Sequence, residues 1–323
     1  MDLLKEAFAC RNSRCQPSST LELGNPPVPI PGLRAKQSAP APVFISGATP
    51  GLQEARAYLL PLSVPSYAPI RDTAVPEPIL DANAALLVHL DSGTVLYAKN
   101  AAVQVPIASL TKLLSALVTQ DLFDRSEIVT IASDSVRVDG QKQTLYLGER
   151  LSVGDLVSMM LVESSNDAAY ALAAYAHERG IDFVSVMNQK AAKLGMAGCL
   201  LKDPAGLDDT AYCTAADLLR LVRSALRNAP NLWPIMAQSS LVIHSADGRF
   251  SHEVKSTDEL LGQLPGIVGG KTGNTDAALG CLILVVKING EHDTLVSIVL
   301  GSRQRFVDTK TLVTWAQSAY RWH

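Results

Sequence analysis

Apolar and polar positions along this chain follow no period at first and settle into clear ones later. From Pro17 to Pro78 the strings NPPVPIPGL, SAPAPV, ATPG, LPLSVPSYAPI and VPEP crowd prolines among small residues. Proline fixes φ and removes a backbone donor, so such a stretch completes few helices or ladders and favours extended polyproline II. Residues 1–79 are therefore expected to form a Pro-rich, disordered segment or linker, with the folded domain over 80–323. A proline-motif ligand for a partner is the lesser alternative for the segment.

Beyond Pro78 the rhythm changes. ALLVHLDSGTVLYAKN sets two apolar runs around Asp91-Ser92-Gly93, a hairpin pattern in which glycine supplies a positive φ. Leu113, Leu114, Leu117 and Val118 recur at helical spacing and predict a helix from Ser109 to about Phe123. Further helical patterns cover Val153–Leu161, Asp167–Glu178, Phe183–Leu194 and Ala215–Arg227. Strand patterns cover Leu241–His244, Ala277–Ile288 and Thr294–Leu300, and a last helix is expected over Arg305–Tyr320. An early hairpin, a helical block, a late run of strands and a closing helix predict an α+β fold with a mainly antiparallel sheet.

Composition narrows the partners. The 323 residues carry 28 basic and 31 acidic side chains, and no basic stripe with interleaved aromatics is present to track a phosphate backbone, so no nucleic-acid partner is expected. The five cysteines (Cys10, Cys15, Cys199, Cys213 and Cys281) are odd in number and form no Cys-x-x-Cys pair, so neither a metal site nor a disulfide framework is expected, and no cofactor is implied. Cys281 is expected to be a small buried hydrophobe. Lys5 and Glu6 interrupt the apolar N-terminal residues before a signal-peptide core forms, and no membrane tether is visible in the sequence.

Three strings carry chemistry. Ser109-Leu110-Thr111-Lys112 puts a hydroxyl and an amine on one helix face. Serine is a poor nucleophile at neutral pH and needs a base, which a lysine provides if burial or cationic neighbours lower its pKa. The helix start at Ser109 also offers amides for an oxyanion. Taken alone, Ser-x-x-Lys is more often a solvated face with a cap. Ser164-Ser165-Asn166 falls between two helical patterns: an N-cap on the bland reading, or else a proton relay at Ser164 beside Lys112 with an Asn166 amide that binds substrate and fixes the lysine. Gly269-Gly270-Lys271-Thr272-Gly273 precedes a strand pattern: a glycine turn with an exposed lysine, or a cradle where Lys271 and Thr272 meet a carboxylate while amides at Gly273 and Asn274 face an oxyanion.

The order Ser-x-x-Lys, Ser-x-Asn, Lys-Thr-Gly makes coincidence improbable, and the trio resembles that of serine β-lactamases and penicillin-binding proteins. PIASLTKLLSALV, LYLGERLSVGDLVSMMLVESSNDAA, DPAGLDD, VGGKTGNTDAALGCL and RFVDTKTLVTWA make the chain from about residue 80 similar to the low-molecular-mass penicillin-binding D-alanyl-D-alanine carboxypeptidases, serine peptidase family S11. The resemblance implies a serine β-lactamase/penicillin-binding-protein-like fold, an antiparallel sheet flanked by helices with a helical subdomain. It implies an acyl-enzyme on Ser109 with Lys112 as base, Ser164 and Asn166 as catalytic partners, and Lys271, Thr272, Gly273, Asn274 and Arg305 at the substrate. The implied partners are the D-Ala-D-Ala stem peptide of peptidoglycan and β-lactams as covalent inhibitors, and the implied location is extracytoplasmic. Asp203 stands where the family usually has asparagine, and Leu279-Gly280 departs from its glycine-first order. The chain stops soon after the closing helix, so any tether is expected to be N-terminal.

The nearer rival is a D,D-endopeptidase acting on cross-links. A class A-like β-lactamase needs a Glu-x-x-Leu-Asn string after Asn166, and none is present. An inactive peptidoglycan-binding protein is disfavoured by the intact trio. A Ser-His-Asp hydrolase lacks the Gly-x-Ser-x-Gly elbow, and the six histidines sit in no supporting motif.

Overall fold

A computed structural model describes residues 67–133, 144–290 and 292–322. At its centre is a five-stranded antiparallel sheet of β2 (Ala84–His89), β3 (Val95–Lys99), β8 (Ile267–Thr275), β9 (Leu279–Ile288) and β10 (Asp293–Ser302), in the order β3-β2-β10-β9-β8. The central strands are apolar almost throughout because both faces are covered. Ala84, Leu86 and Val88 of β2, Cys281, Ile283 and Val285 of β9, and Val296, Ile298 and Leu300 of β10 face one core. The alternate residues Ala85, Leu87, Leu282, Leu284, Val286, Leu295 and Val299 face a second.

The first core is closed by the helical block α1 (Thr111–Leu122), α2 (Val153–Val162), α3 (Asn166–His177), α4 (Phe183–Lys193), α5 (Ala215–Asn228) and α6 (Leu232–Met236). The second is closed by α7 (Arg305–Ala319), which contributes Leu312, Val313, Trp315, Ala316 and Ala319. The result is a helix–sheet–helix sandwich, the α+β layout the patterns predict. Side-chain caps fix the helix starts: Ser152 accepts from Asp155 N, Asp182 from Ser185 N and Thr214 from Asp217 N. Among the described residues no helix is long and apolar enough to cross a membrane.

The structure corrects two expectations. The folded unit takes in residues N-terminal of 80: β1 (Ile70–Arg71) pairs with β11 (Tyr320–Arg321), and Trp315 Nε1 donates to Pro76 O at 2.7 Å. The rest of the Pro-rich segment, residues 1–66, lies outside the described residues. Cys199 and Cys213 form a disulfide, although no cysteine pairing is readable from their spacing, while Cys281 is free and buried. Of the two readings of Gly269–Gly273 the glycine turn is the one set aside: the segment is strand, β8, because its backbone pairs residue for residue with β9. The strand expected at Leu241–His244 is β6 (Ser240–His244), which forms a hairpin with β7 (Ser251–Lys255), while β7 and the two-stranded sheet of β4 (Ile128–Thr130) and β5 (Arg150–Ser152) carry no pattern that predicted them.

Candidate active site

Ser109 lies in a single 3-10 turn, Ala108–Leu110, that runs into α1. Ala108 has φ 48, a left-handed conformation that is costly for a residue with a Cβ and that tends to be held only where the surroundings enforce it. Enforcement comes from two glycines. Gly206 (φ +78) packs so closely on the turn that a Cβ would stand 2.0 Å from Ala108 O. A Cβ on Gly273 would stand 2.9 Å from Ile107 O and 3.1 Å from Ser109 N, so β8 lies directly against the serine turn.

One turn along, the Lys112 side chain is fully buried, with Nζ 2.7 Å from Ser109 Oγ, 2.7 Å from Asn166 Oδ1 and 2.8 Å from Ala205 O. The last two partners only accept, so each needs an N–H. A neutral amine has two N–H bonds and one lone pair. With both N–H groups committed to the carbonyls, the lone pair is left to accept from the Ser109 hydroxyl. Burial holds the Lys112 amine well below its ordinary pKa, nearby Lys271 pushes the same way, and the Asp203 carboxylate opposes both. The arrangement is that of a serine with a general base already in contact.

The Ser-x-Asn string occupies the α2–α3 junction, as the sequence predicts, but the N-cap is Ser165, whose side chain accepts from Ala168 N. That leaves Ser164, at φ 64, free of the capping duty. Its Oγ accepts from Lys271 Nζ at 2.8 Å, so its direct amine partner is Lys271, whereas the sequence reading set it beside Lys112. Asn166 fixes Lys112 as expected, and its side chain is buried.

Lys271 is 1% exposed, contrary to the exposed lysine of the bland reading. It also donates to Thr272 O at 2.9 Å. Burial lowers its pKa to about 7; Asp258 opposes the shift and Arg305 adds to it. Thr272 Oγ1 is hydrogen-bonded to Thr257 Oγ1, and Asn274 is exposed at the end of β8. Arg305, the first residue of α7, is half-buried against Gly280, where a Cβ would stand 3.0 Å from its guanidinium, and it acts on Lys271 through charge. Two amines, two hydroxyls and an amide from separate stretches thus meet in one place.

Residues 71–304 match the family of D-alanyl-D-alanine carboxypeptidases, peptidase family S11. The chain belongs to that family. It is 27% identical over 252 residues to the D-alanyl-D-alanine carboxypeptidase DacF of Bacillus subtilis, across 75% of this chain and 64% of the relative, so it spans a little under two thirds of that protein's length. It is 31% identical over 245 residues to a D-alanyl-D-alanine endopeptidase of Pseudomonas aeruginosa, across 74% of this chain and 78% of the relative. Its fold is similar to that of penicillin-binding protein D2 from Listeria monocytogenes in an ampicillin-bound crystal structure, with a TM-score of 0.63 and 31% identity over 75% of this chain and 99% of the other.

Within this member of the family, one buried carboxylate at the site went unnoticed in the sequence. Asp258 lies beneath Gly270, its Oδ2 2.7 Å from where a Cβ there would stand, and it is the one carboxylate that raises the pKa of Lys271. Burial in turn raises the pKa of Asp258, against the Leu260 amide, Arg305 and Lys271. It sits in a polar loop string, STDEL, with no motif around it, so no local signal marked it.

Proposed function

We propose that this protein is a serine-type D-Ala-D-Ala carboxypeptidase that removes the terminal D-alanine of peptidoglycan stem peptides through an acyl-enzyme on Ser109. The observation that carries the reading is the three-way contact of Lys112 with Ser109, Asn166 and Ala205, which leaves a buried, neutral-prone amine with its lone pair on the hydroxyl. Lys112 takes the Ser109 proton as Oγ bonds to the carbonyl carbon of the penultimate D-alanine. Backbone amides of Ser109 and Asn274 face the developing oxyanion. As the tetrahedral centre collapses, the C–N bond breaks and the leaving amine takes a proton through the Lys112–Ser164–Lys271 group. Water then attacks the ester and returns Ser109 to its hydroxyl form.

Lys271, in its protonated form, and Thr272 hold the terminal carboxylate. β-Lactams, which carry an amide and a carboxylate in similar relation, acylate the same serine. Because the substrate lies outside the cytoplasmic membrane, the protein is proposed to act there. The same acyl-enzyme serves cleavage of D,D-cross-links, the activity in the name of the Pseudomonas aeruginosa relative. Release of D-alanine from diacetyl-Lys-D-Ala-D-Ala by the purified protein tests the reading: Ser109→Ala is expected to drop it to the uncatalysed background, and release that survives the substitution contradicts it.

The two lysines also set the pH profile. Activity rises as Lys112 loses its proton, and kcat/KM falls above about pH 7 as Lys271 in the free enzyme loses the charge that attracts the carboxylate. Asp258→Asn removes the carboxylate that keeps Lys271 protonated. Its alkaline limb is therefore expected to move to lower pH, and a shift of about one unit raises KM for the peptide about fivefold at pH 7, approaching tenfold at higher pH, as the protonated fraction of Lys271 falls. Steady-state rates of D-alanine release across pH read both effects.

A further inference from the structure

Beside Lys112 stands a buried charge to which the catalytic steps give no task. Asp203 is almost fully buried, and its carboxylate accepts four consecutive backbone N–H groups: Ala205 at 2.7 Å and Gly206 at 2.6 Å on Oδ1, Leu207 at 3.0 Å and Asp208 at 2.8 Å on Oδ2. A neutral amide side chain has one acceptor oxygen, and its NH2 would face the other pair of donors, so the four-fold bond needs a carboxylate. Wound in this way, the segment turns the Ala205 carbonyl to Lys112 Nζ and sets Gly206 against the Ala108 carbonyl. The ends of the segment are tied by the Cys199–Cys213 disulfide, and Cys213 N donates to Val105 O just ahead of the serine turn.

We propose that Asp203 is a positioning residue for acylation: it shapes the 203–208 segment so that the Ala205 carbonyl holds Lys112 against Ser109, and it is the counter-charge to that amine. The inference rests on the reading of Lys112 as the base. A base must be neutral to accept a proton yet basic enough to take one from a hydroxyl, and the two demands conflict. Desolvation and Lys271 serve the first, and Asp203 serves the second. The groups facing Lys112 are Lys271 from β8 and Asp203 from this segment. On the far side Asp203 faces Tyr170 of α3, whose phenol burial pushes up to about 12, with Asp203 and Asp208 adding to the shift. Tyr170 therefore stays neutral at working pH and leaves the carboxylate's influence on Lys112 intact.

The test is the rate of acylation by a fluorescent penicillin, measured from acid to mildly alkaline pH for the wild type, Asp203→Asn and Asp203→Glu. Without the carboxylate Lys112 gives up its proton more easily, so the acidic midpoint of Asp203→Asn moves down by about one pH unit, as for loss of a close opposite charge. Asp203→Glu keeps the charge and is expected to keep the midpoint while its plateau rate falls. If Asp203→Asn does not fold, Asp203→Ser, which keeps a small acceptor without charge, takes its place. A midpoint unchanged in the folded uncharged variant, or failure of every uncharged variant to fold, overturns the proposal and leaves Asp203 a loop-shaping residue only. A wild type that takes up no label sinks the Ser109 reading instead, which separates the two failures.

Discussion

Lys112→Met is expected to slow acylation of Ser109 by about 10²- to 10⁴-fold, the range a positioned general base contributes. Methionine has nearly the length of lysine and suits an apolar interior, so it fills the space of a side chain that is fully buried. What it removes is the lone pair 2.7 Å from Ser109 Oγ and the two N–H bonds to Asn166 and Ala205. Buried acceptors left without a donor cost about 1–3 kcal/mol each, so some loss of stability accompanies the loss of rate. The decisive readout is therefore the acylation rate constant of protein shown by circular dichroism to be folded. A folded variant that acylates within tenfold of wild type assigns the proton transfer to another group.

Gly206→Ala is expected to be as severe for a different reason. The position needs a positive φ, and a Cβ would stand 2.0 Å from Ala108 O and 2.6 Å from Ala108 C, backbone atoms that cannot swing aside. Either the 203–208 segment or the serine turn must move, and each carries part of the Ser109–Lys112–Ala205 contact. A loss of about 4 kcal/mol or more, the range reserved for gross steric conflict, is expected in denaturant unfolding, together with loss of penicillin labelling. Gly180→Ala is the control: its φ is +73 but nothing lies within 4 Å of the added Cβ, so only the left-handed cost of about 1–2 kcal/mol applies. Equal losses in the two variants would show that strain, not packing on the serine turn, sets the cost.

These two glycines illustrate which parts of the molecule were legible beforehand. Helices α2 to α5 and α7 were readable to within a residue or two, because an apolar stripe at 3.6-residue spacing and, in α2 to α5, a serine, threonine or aspartate cap are local signals. The catalytic strings were readable because their residue types state their chemistry and their order excludes chance. Four things were not readable. The adjacent serines at 164 and 165 compete for one cap, and only the fold decides that Ser165 takes it and Ser164 goes to Lys271. The four amides on Asp203 depend on a winding of the chain that no periodicity announces. The burial of Asp258 under Gly270, and the pairing of Cys199 with Cys213, arise from contacts between segments that each look like ordinary loop.

A common physical theme links these residues. Two amines are held in a buried space where desolvation depresses the charged form of both, Lys271 adding to the effect on Lys112 and Arg305 to that on Lys271, and a carboxylate stands behind each: Asp203 for Lys112 and Asp258 for Lys271. Opposing influences of this kind let one amine serve as a base and the other as a carboxylate receptor within a single cleft.

The proposed activity requires that Ser109 form a covalent ester. Intact-protein mass spectrometry after brief exposure to benzylpenicillin, followed by peptide mapping, reads that bond directly. A single penicilloyl adduct is expected on the peptide that contains Ser109, absent from Ser109→Ala. An unmodified wild type, or an adduct that persists in Ser109→Ala, would contradict it.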